Sequence, residues 1–153
     1  MKNRKAALVR LLIRLVRAAQ TILGFLTRGR FPPFCSALAL IVKNDAIYVI
    51  DHAVYHRCTL PGGYLRLGES PRAAVEREIL EETGARARPV RLIGCYENTS
   101  GIHSVNVVYL CEIEGEAEKF SYEGRCHWLR IEEAYASLPR HCQLALDDYR
   151  KNP

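Results

Sequence analysis

The chain has 153 residues, 48% hydrophobic and 25% charged, so it is long enough for one ordinary domain and apolar enough to bury a core, which excludes a disordered chain. The formal net charge of +5 is unevenly distributed, because residues 1–30 hold 8 basic and no acidic residues whereas the remainder holds 14 basic and 17 acidic ones. The positive charge therefore belongs to one segment, and a nucleic-acid-binding surface spread over the whole protein is excluded.

The first thirty residues predict a basic amphipathic helix over Ala6–Leu26, separate from the domain that follows. Gly29 and the pair Pro32–Pro33 end this helix. Its polar residues recur at helical spacing and form one stripe, whereas aliphatic side chains fill a wide sector around it. The stripe consists of Arg10, Arg14, Arg17, Thr21, Gly24 and Arg28.

This segment has several interpretations. A membrane span needs about 20 apolar residues, and each of the central arginines would cost about 2.5–3.5 kcal/mol there. The same arginines interrupt the apolar core of a signal peptide. Two interpretations stay open: the apolar side packs on its own domain or on a second subunit in a homodimer, or residues 6–28 lie on an anionic membrane surface. The segment lacks interleaved aromatic residues, so we do not expect a specific nucleic-acid partner.

Residues 34–150 predict a single mixed α/β domain. An apolar run over Cys35–Val42 and a second strand over Ala46–Ile50 predict a β-hairpin that turns at Asn44–Asp45. A glycine turn over Leu60–Gly63 precedes a helix from Pro71 to Thr83. Later patterns predict strands and then terminal helices, which together favour a mixed α/β sandwich: strands Pro89–Glu97, Val105–Ile113 and Cys126–Ile131, and helices Glu132–Ser137 and His141–Arg150.

The helix after the glycine turn has Ser70 as its expected N-cap and Gly84 as its left-handed C-terminal residue. Glu78, Glu81 and Glu82 stand at i, i+3 and i+4, so their side chains share one face. Such a cluster is usually a solvated charged face. A divalent cation that takes oxygen ligands, such as Mg²⁺, would instead turn the repulsion between the carboxylates into binding.

The spacing of these residues resembles the Nudix box, G-x5-E-x7-R-E-U-x-E-E-x-G-U, in which U is a large aliphatic residue. Each fixed position has its counterpart here, and the only departure is a small alanine at the last aliphatic position. The match starts at the loop glycine, passes through the helix and ends just beyond it, with Gly63, Glu69, Arg77, Glu78, Glu81, Glu82, Gly84 and Ala85. A match at this many spaced positions is far more specific than an isolated glycine motif.

The resemblance implies a Nudix-type α/β/α sandwich with a mixed sheet, preceded here by the amphipathic helix. It implies Mg²⁺, with Mn²⁺ as a substitute, held by Glu78, Glu81 and Glu82, with Glu123 as a fourth ligand. Glu112, Glu114 and Glu116 are alternatives to Glu123. The implied catalytic set is Glu81, Glu82, Glu123 and Arg77, with Glu82 or Glu123 as the base and Arg77 orienting a glutamate by ion pairing. The supporting set is Gly63, Glu69 and Gly84. The expected substrate contacts are Gly62, His56 and Arg66.

The implied activity is hydrolysis of a phosphoanhydride bond in a nucleoside diphosphate linked to another group X. The alternative is a nucleotide-binding or regulatory module with weak catalysis, against which the complete glutamate set argues. In a third interpretation the N-terminal segment carries the main role, at a membrane surface or as a scaffold. The sequence does not specify the nucleobase or X.

Outside this motif, few residues suggest chemistry. The six cysteines are far apart without a Cys-x-x-Cys pair, which argues against zinc and favours free thiols in a reducing cytoplasm. Trp128 lies in a predicted strand, so we expect it in the core. The histidines are scattered without evident partners, so we expect them at the surface: His52, His56, His103, His127 and His141.

Overall fold

The computed structural model describes residues 2–29, 32–52, 57–99, 102–114 and 124–152, without the side chains of residues 2–6 and 52. Helices and strands alternate irregularly along this part of the chain. Their order is α1 (Lys2–Leu26), β1 (Phe34–Leu40), β2 (Val42–Lys43), β3 (Ala46–His52), β4 (Arg57–Thr59), β5 (Gly62–Tyr64), α2 (Pro71–Thr83), β6 (Arg86–Asn98), β7 (Ser104–Glu114), β8 (Gly124–Arg130), α3 (Ile131–Ser137) and α4 (Arg140–Lys151).

One sheet contains the short strand β5 with the two loop glycines, the central strand β1 and the two longest strands, in the order β5-β1-β7-β6. β1 pairs in parallel with β7, and the other two pairings in this sheet are antiparallel. In the second sheet, β8 pairs with β3 along its whole length, while β2 and β4 pair with the beginning and the end of β3. Both sheets are therefore built from strands distant in sequence, and the first sheet is mixed.

The core has two parts because helices cover both faces of β1. Ala37, Ala39 and Ile41 point into a cluster with α2, which contributes Val75 and Ile79. The alternating residues of β1 point the other way, into a cluster with residues of α3 and α4 that includes Leu38, Leu40, Ala134, Leu138 and Leu146. A strand buried on both faces is continuously apolar, which explains the unbroken run in the sequence. The predicted α/β/α sandwich is confirmed.

The predicted hairpin is only partly correct. β3 forms as expected, but its antiparallel partner on the N-terminal side is the two-residue strand β2, with Val42 opposite Ile47 and Lys43 opposite Ala46. The chain leaves the first sheet after Leu40. β1 pairs instead with β7, about 70 residues away, and a parallel partner at that distance leaves no trace in the local pattern.

Two expectations about single side chains are wrong. Trp128 is 37% exposed and lies against Tyr48, with ring centroids 5.2 Å apart. His141, expected at the surface, is buried in the first turn of α4, and its burial lowers the pKa of the imidazole. Strand and helix periodicity place a residue on a face, but the depth of that face depends on the neighbouring elements.

Candidate active site

Helix α2, which carries the glutamates of the candidate site, is capped at both ends by local contacts. The Ser70 hydroxyl accepts a hydrogen bond from the Ala73 amide at 3.2 Å, and Pro71 occupies the first turn, where its missing N–H leaves no bond unmade. At the other end Gly84 adopts φ 72°, and its amide donates to the Leu80 carbonyl. These caps fix the length of α2, as the sequence predicts, and with it the positions of the glutamates.

Gly62 brings the loop into contact with the central strand. Its φ is 136°, and a Cβ built there would lie 2.1 Å from the Ala37 carbonyl oxygen, so a larger residue cannot occupy the position without moving backbone. From this position the Gly62 amide donates to Glu82 Oε2 at 3.0 Å. Glu82 is only 5% exposed, so the loop amide provides a hydrogen bond to a buried carboxylate.

Gly63 makes room for the next glutamate. A Cβ at Gly63 would lie 2.5–2.9 Å from the carboxylate atoms of Glu78. The missing side chain therefore lets the Glu78 carboxylate lie directly against the loop. The two loop glycines accommodate different partners, backbone at Gly62 and a carboxylate at Gly63.

Arg77 connects the loop, the helix entry and two of the three glutamates. Its guanidinium donates two bonds to Glu69, at 2.7 and 2.8 Å, one to Glu78 at 2.6 Å and one to Glu81 at 3.3 Å. A further bond of 3.2 Å reaches the Tyr64 carbonyl. The bidentate pair with Glu69 uses the planar geometry that only arginine provides. Arg77 is thus the common partner of the acidic groups in this region.

These contacts shift the ionisation of the pair. The hydrogen bonds from Arg77, together with the Arg66 amide, lower the pKa of Glu69 to about 2. The same interaction with Glu69 raises the pKa of Arg77 above its ordinary value. Both groups therefore keep their charges at any physiological pH, so the arrangement does not depend on a change of protonation.

Glu81 is half-exposed and has a second basic partner. Arg66 donates to Glu81 Oε1 at 2.9 Å, while Arg77 contacts the other carboxylate oxygen. The Arg66 and Glu81 side chains are 64% and 48% exposed, so solvent screens their attraction. Arg66, predicted to contact substrate, therefore has its guanidinium at the rim of the glutamate face.

The structure brings together most of the predicted site residues. Glu78 and Glu81 meet at Arg77, and Glu82 lies under Gly62. Glu123, His56 and Glu116 lie outside the described residues. Of the alternatives to Glu123, Glu112 forms an ion pair with Arg88 across β6 and β7.

Two neighbours of Glu82 could not be predicted from the sequence. The Cys126 thiol on β8 donates to the Glu82 carbonyl at 3.9 Å. Tyr48 on β3 lies near both residues, and burial, followed by interactions with Cys126 and Glu82, raises the pKa of its hydroxyl to about 12. Both residues reach Glu82 from the second sheet, a distance in sequence that no local motif spans.

The donor set fits a divalent cation that prefers oxygen ligands. Three carboxylates project from one side of α2, and the loop leaves space for one of them at Gly63. Among the described residues no three acidic, histidine or cysteine groups are already arranged as a metal cluster. Glu78 and Glu81 are instead held by Arg77, so a cation at Glu78, Glu81 and Glu82 would share these oxygens with the arginine.

Sequence comparison identifies relatives. The profile of the NUDIX domain matches residues 33–146. The chain is 38% identical to a MutT-like protein of Streptomyces ambofaciens over 101 residues, which are 64% of this chain and 64% of that protein. It is 30% identical to the human diphosphoinositol polyphosphate phosphohydrolase 2 over 103 residues, 65% of this chain and 57% of that protein. The chain thus spans less than two thirds of the length of these curated relatives.

Structure comparison agrees. A NUDIX hydrolase from Nitrosomonas europaea aligns with a TM-score of 0.69 at 24% identity, over 78% of this chain and 90% of that one, which shows the shared fold. The MutT NUDIX hydrolase from Burkholderia pseudomallei aligns with a TM-score of 0.65 at 26% identity, over 77% and 98% of the two chains. With the complete box and the profile match over most of its length, the chain belongs to the Nudix hydrolase family.

Proposed function

We propose that the protein hydrolyses a phosphoanhydride bond in a nucleoside diphosphate linked to another group X. Water adds across the P–O–P bridge: one phosphorus gains the hydroxyl oxygen and the departing phosphate oxygen gains a proton. The products are a nucleoside monophosphate and phosphorylated X. The observation that supports this most is the glutamate face of α2, held by Arg77 and closed by the loop at Gly62 and Gly63.

We assign Mg²⁺, with Mn²⁺ as a substitute, to Glu78, Glu81 and Glu82, with Glu123 as the further ligand. When bound, such a cation neutralises phosphate charge and lowers the pKa of water. The protein's part is to hold the carboxylates in position before substrate arrives. Arg77 orients Glu78 and Glu81, and the Gly62 amide orients Glu82.

In this proposal a carboxylate acts as the general base that removes a proton from the attacking water. Glu82 is one candidate, because its Oε2 is oriented by the Gly62 amide and its burial limits the orientations it can adopt. Glu123 is the other candidate. A base of this kind contributes roughly 10²–10⁴-fold to the rate.

Arg66 is suited to contact the substrate's phosphates. Its guanidinium is exposed at the rim of the glutamate face, and its ion pair with Glu81 is weakened by solvent. Arginine binds phosphate oxygens with two parallel N–H groups. We expect Arg66 to exchange Glu81 for phosphate when substrate binds, which would affect KM more than kcat.

The choice of X is open to direct test. One relative is named as a diphosphoinositol polyphosphate phosphohydrolase and another as a MutT-like protein. The first of these names specifies a diphosphate carried on inositol, whereas the substrate that we propose carries its diphosphate on a nucleoside. The six free cysteines favour a reducing compartment, so we propose the cytoplasm as the place of action.

The test is product release from a panel of phosphoanhydrides: ADP-ribose, nucleotide sugars, dinucleoside polyphosphates, normal and oxidised nucleoside triphosphates, and diphosphoinositol polyphosphates. Each is assayed with Mg²⁺, with Mn²⁺ and with a chelator. We expect cation-dependent cleavage of a nucleotide, and a decrease in kcat of about 10²–10⁴-fold in Glu82→Gln. Mn²⁺ binding, followed by electron paramagnetic resonance, gives a readout independent of turnover.

Glu76→Gln is the matched control, because Glu76 lies on the same helix but is exposed and pairs with Arg72. We expect it to retain activity and Mn²⁺ binding. Cleavage of diphosphoinositol polyphosphates alone would support phosphoanhydride hydrolysis but would overturn a nucleotide as the substrate. If the folded protein cleaves none of these compounds and binds no Mn²⁺, the proposed hydrolase activity is wrong and the regulatory module is favoured.

A further inference from the structure

Helix α1 is attached to the domain by a polar contact at Gln20. The Gln20 side chain accepts a hydrogen bond from the His103 amide at 3.1 Å and donates one to the His103 carbonyl at 3.0 Å. Gln20 is the buried polar residue of the helix. A cleft of about 300 Å³ remains beside this contact, lined by Thr21, Pro32 and Pro33 as well as the contact residues. The helix therefore touches the domain over a narrow line.

The contact at Gln20 also shows which side of the helix faces the domain. Ile13, Val16 and Gly24 are the partly buried residues of its described side chains, and they lie on the same side as Gln20 at helical spacing. Every other described side chain of α1 is exposed. Within the part of the chain that the structure describes, the domain thus covers one narrow stripe of α1, and the apolar side of the helix does not pack on the domain.

The apolar side chains point away from the domain. At about 100° per residue they occupy a sector roughly 160° wide opposite Gln20. Phe25 is 85% exposed, Leu26 70% and Ile22 60%. The sector is completed by other exposed aliphatic residues, Leu8, Leu11, Leu12, Leu15 and Leu23. Such a continuous exposed apolar surface marks an interaction site.

Basic residues border this sector on one side. By the same helical geometry Arg10, Arg14 and Arg17 lie between the line at Gln20 and the apolar sector. Residues 1–30 contain no acidic residue. Any surface that covers the apolar sector must therefore also accommodate a row of positive charges, which no acidic residue of residues 1–30 neutralises.

We infer that α1 binds flat on an anionic lipid surface, with its apolar sector among the acyl chains and its arginines at the headgroups. An anionic lipid surface matches both features of the helix, because its acyl chains accept the apolar side chains and its headgroups attract the arginines. No described helix has the length and apolar content needed to cross a membrane, so α1 lies in the interface. The contact at Gln20 then places the hydrolase domain on the aqueous side.

A second copy of the chain fits this face less well. A paired helix uses a narrow seam flanked by opposite charges, whereas this sector is about 160° wide and is bordered by arginines without any acidic residue. Two such helices in contact would bring their arginines together without acidic partners from either segment. The lipid surface has neither problem.

The experiment is co-sedimentation of the full-length protein with vesicles of phosphatidylcholine alone and of phosphatidylcholine with about one quarter phosphatidylglycerol. We expect binding to the anionic vesicles that weakens at high salt. Removing three arginines (Arg10→Gln, Arg14→Gln, Arg17→Gln) should lower the partition coefficient on the order of 100-fold. Leu15→Ser with Ile22→Ser should abolish binding.

Matched controls make equivalent changes on the domain. Lys43→Gln, Arg57→Gln and Arg125→Gln remove three exposed charges, and Val90→Ser with Leu92→Ser removes two exposed apolar side chains. Both variants should bind vesicles like the unmodified protein. Equal binding to neutral vesicles, no binding to either, or loss of binding in the control variants would overturn the inference. A dimer in sedimentation velocity that Leu15→Ser with Ile22→Ser dissociates, without vesicle binding, would assign the face to a second copy.

Discussion

The glutamate helix α2 and the N-terminal helix α1 use charge in opposite ways. Around α2, basic and acidic side chains alternate and pair with one another, with Arg77 as the common partner of three glutamates. Along residues 1–30 the charges all have one sign. Charge in the first region fixes the geometry inside the protein, whereas in our proposal the arginines of the second region meet lipid headgroups outside it.

The same contrast holds for attachment to the fold. α2 packs into the core through Val75 and Ile79 and is tied to the loop through Arg77. α1 is joined to the domain by the pair of hydrogen bonds at Gln20, and few of its described side chains are buried. Substitutions around α2 should therefore affect the stability of the whole domain, and substitutions in α1 should affect only the helix.

The largest effect is expected from Arg77→Ala. It leaves Glu69 and Glu78 side by side without their cation in a region where both are about 15% exposed. Removal of one partner from such a cluster should lower the free energy of unfolding by about 3 kcal/mol. Urea unfolding followed by circular dichroism measures this.

Arg88→Ala is the control for this variant, because the Arg88 pair with Glu112 is more than half exposed. Its effect should stay below about 1 kcal/mol. Equal losses in the two variants would mean that Arg77 is an ordinary surface ion pair.

The adjacent loop glycines should separate stability from activity. Gly62→Ala forces a Cβ against the Ala37 carbonyl at a positive φ and should destabilise the domain by about 2 kcal/mol. Gly63→Ala meets only the movable end of Glu78, so the protein should stay folded. The displaced Glu78 should then lower kcat roughly 10–100-fold.

Thermal unfolding and steady-state kinetics of both variants check this pair. An inactive Gly62→Ala protein with an unchanged Tm, or an unfolded Gly63→Ala protein, would reverse the assigned roles.

The geometry of the α2 region was predictable because its contacts are local. The Nudix-box residues lie within 23 positions, from Gly63 to Ala85, and helix spacing together with the caps at Ser70 and Gly84 determines where they point. The family pattern adds the loop position of Glu69. The family pattern also implies that Arg77 pairs with a glutamate, but it does not show that Arg77 contacts Glu69, Glu78 and Glu81 together.

Predictions failed where distant segments meet. β1 joins β7 and not a hairpin partner, and Glu82 is covered by Tyr48 and Cys126 from the second sheet. The amphipathic pattern of α1 likewise left open whether its apolar side faces the domain. A contact at Gln20, 83 residues from its partner His103, decides the orientation, and no pattern marks a lone glutamine for that role.

A smaller and local effect is expected from Gln20→Ala, which removes both hydrogen bonds to His103. The attachment of α1 should weaken by about 1 kcal/mol, without a change in the Tm of the domain. Hydrogen exchange over residues 13–24 measures the loosening. Thr21→Ala is the control, because the Thr21 hydroxyl bonds only within the helix, to the Arg17 carbonyl. Unchanged exchange in Gln20→Ala would mean that apolar contacts alone hold the helix.

The smallest effect concerns the thermal stability of the protein at acidic pH. The pKa of Glu69 is lowered to about 2 by Arg77, against about 4.3 for an unfolded glutamate. A depressed carboxyl pKa stabilises the fold fully above the unfolded value, and this contribution is lost as pH falls toward about 2. Glu69→Gln should therefore have a lower Tm than the unmodified protein at neutral pH, and the difference should shrink as the pH drops from about 4 to about 2. Differential scanning calorimetry across this range measures the difference. A gap of constant size would show that shape, and not the charge of Glu69, holds Arg77 in place.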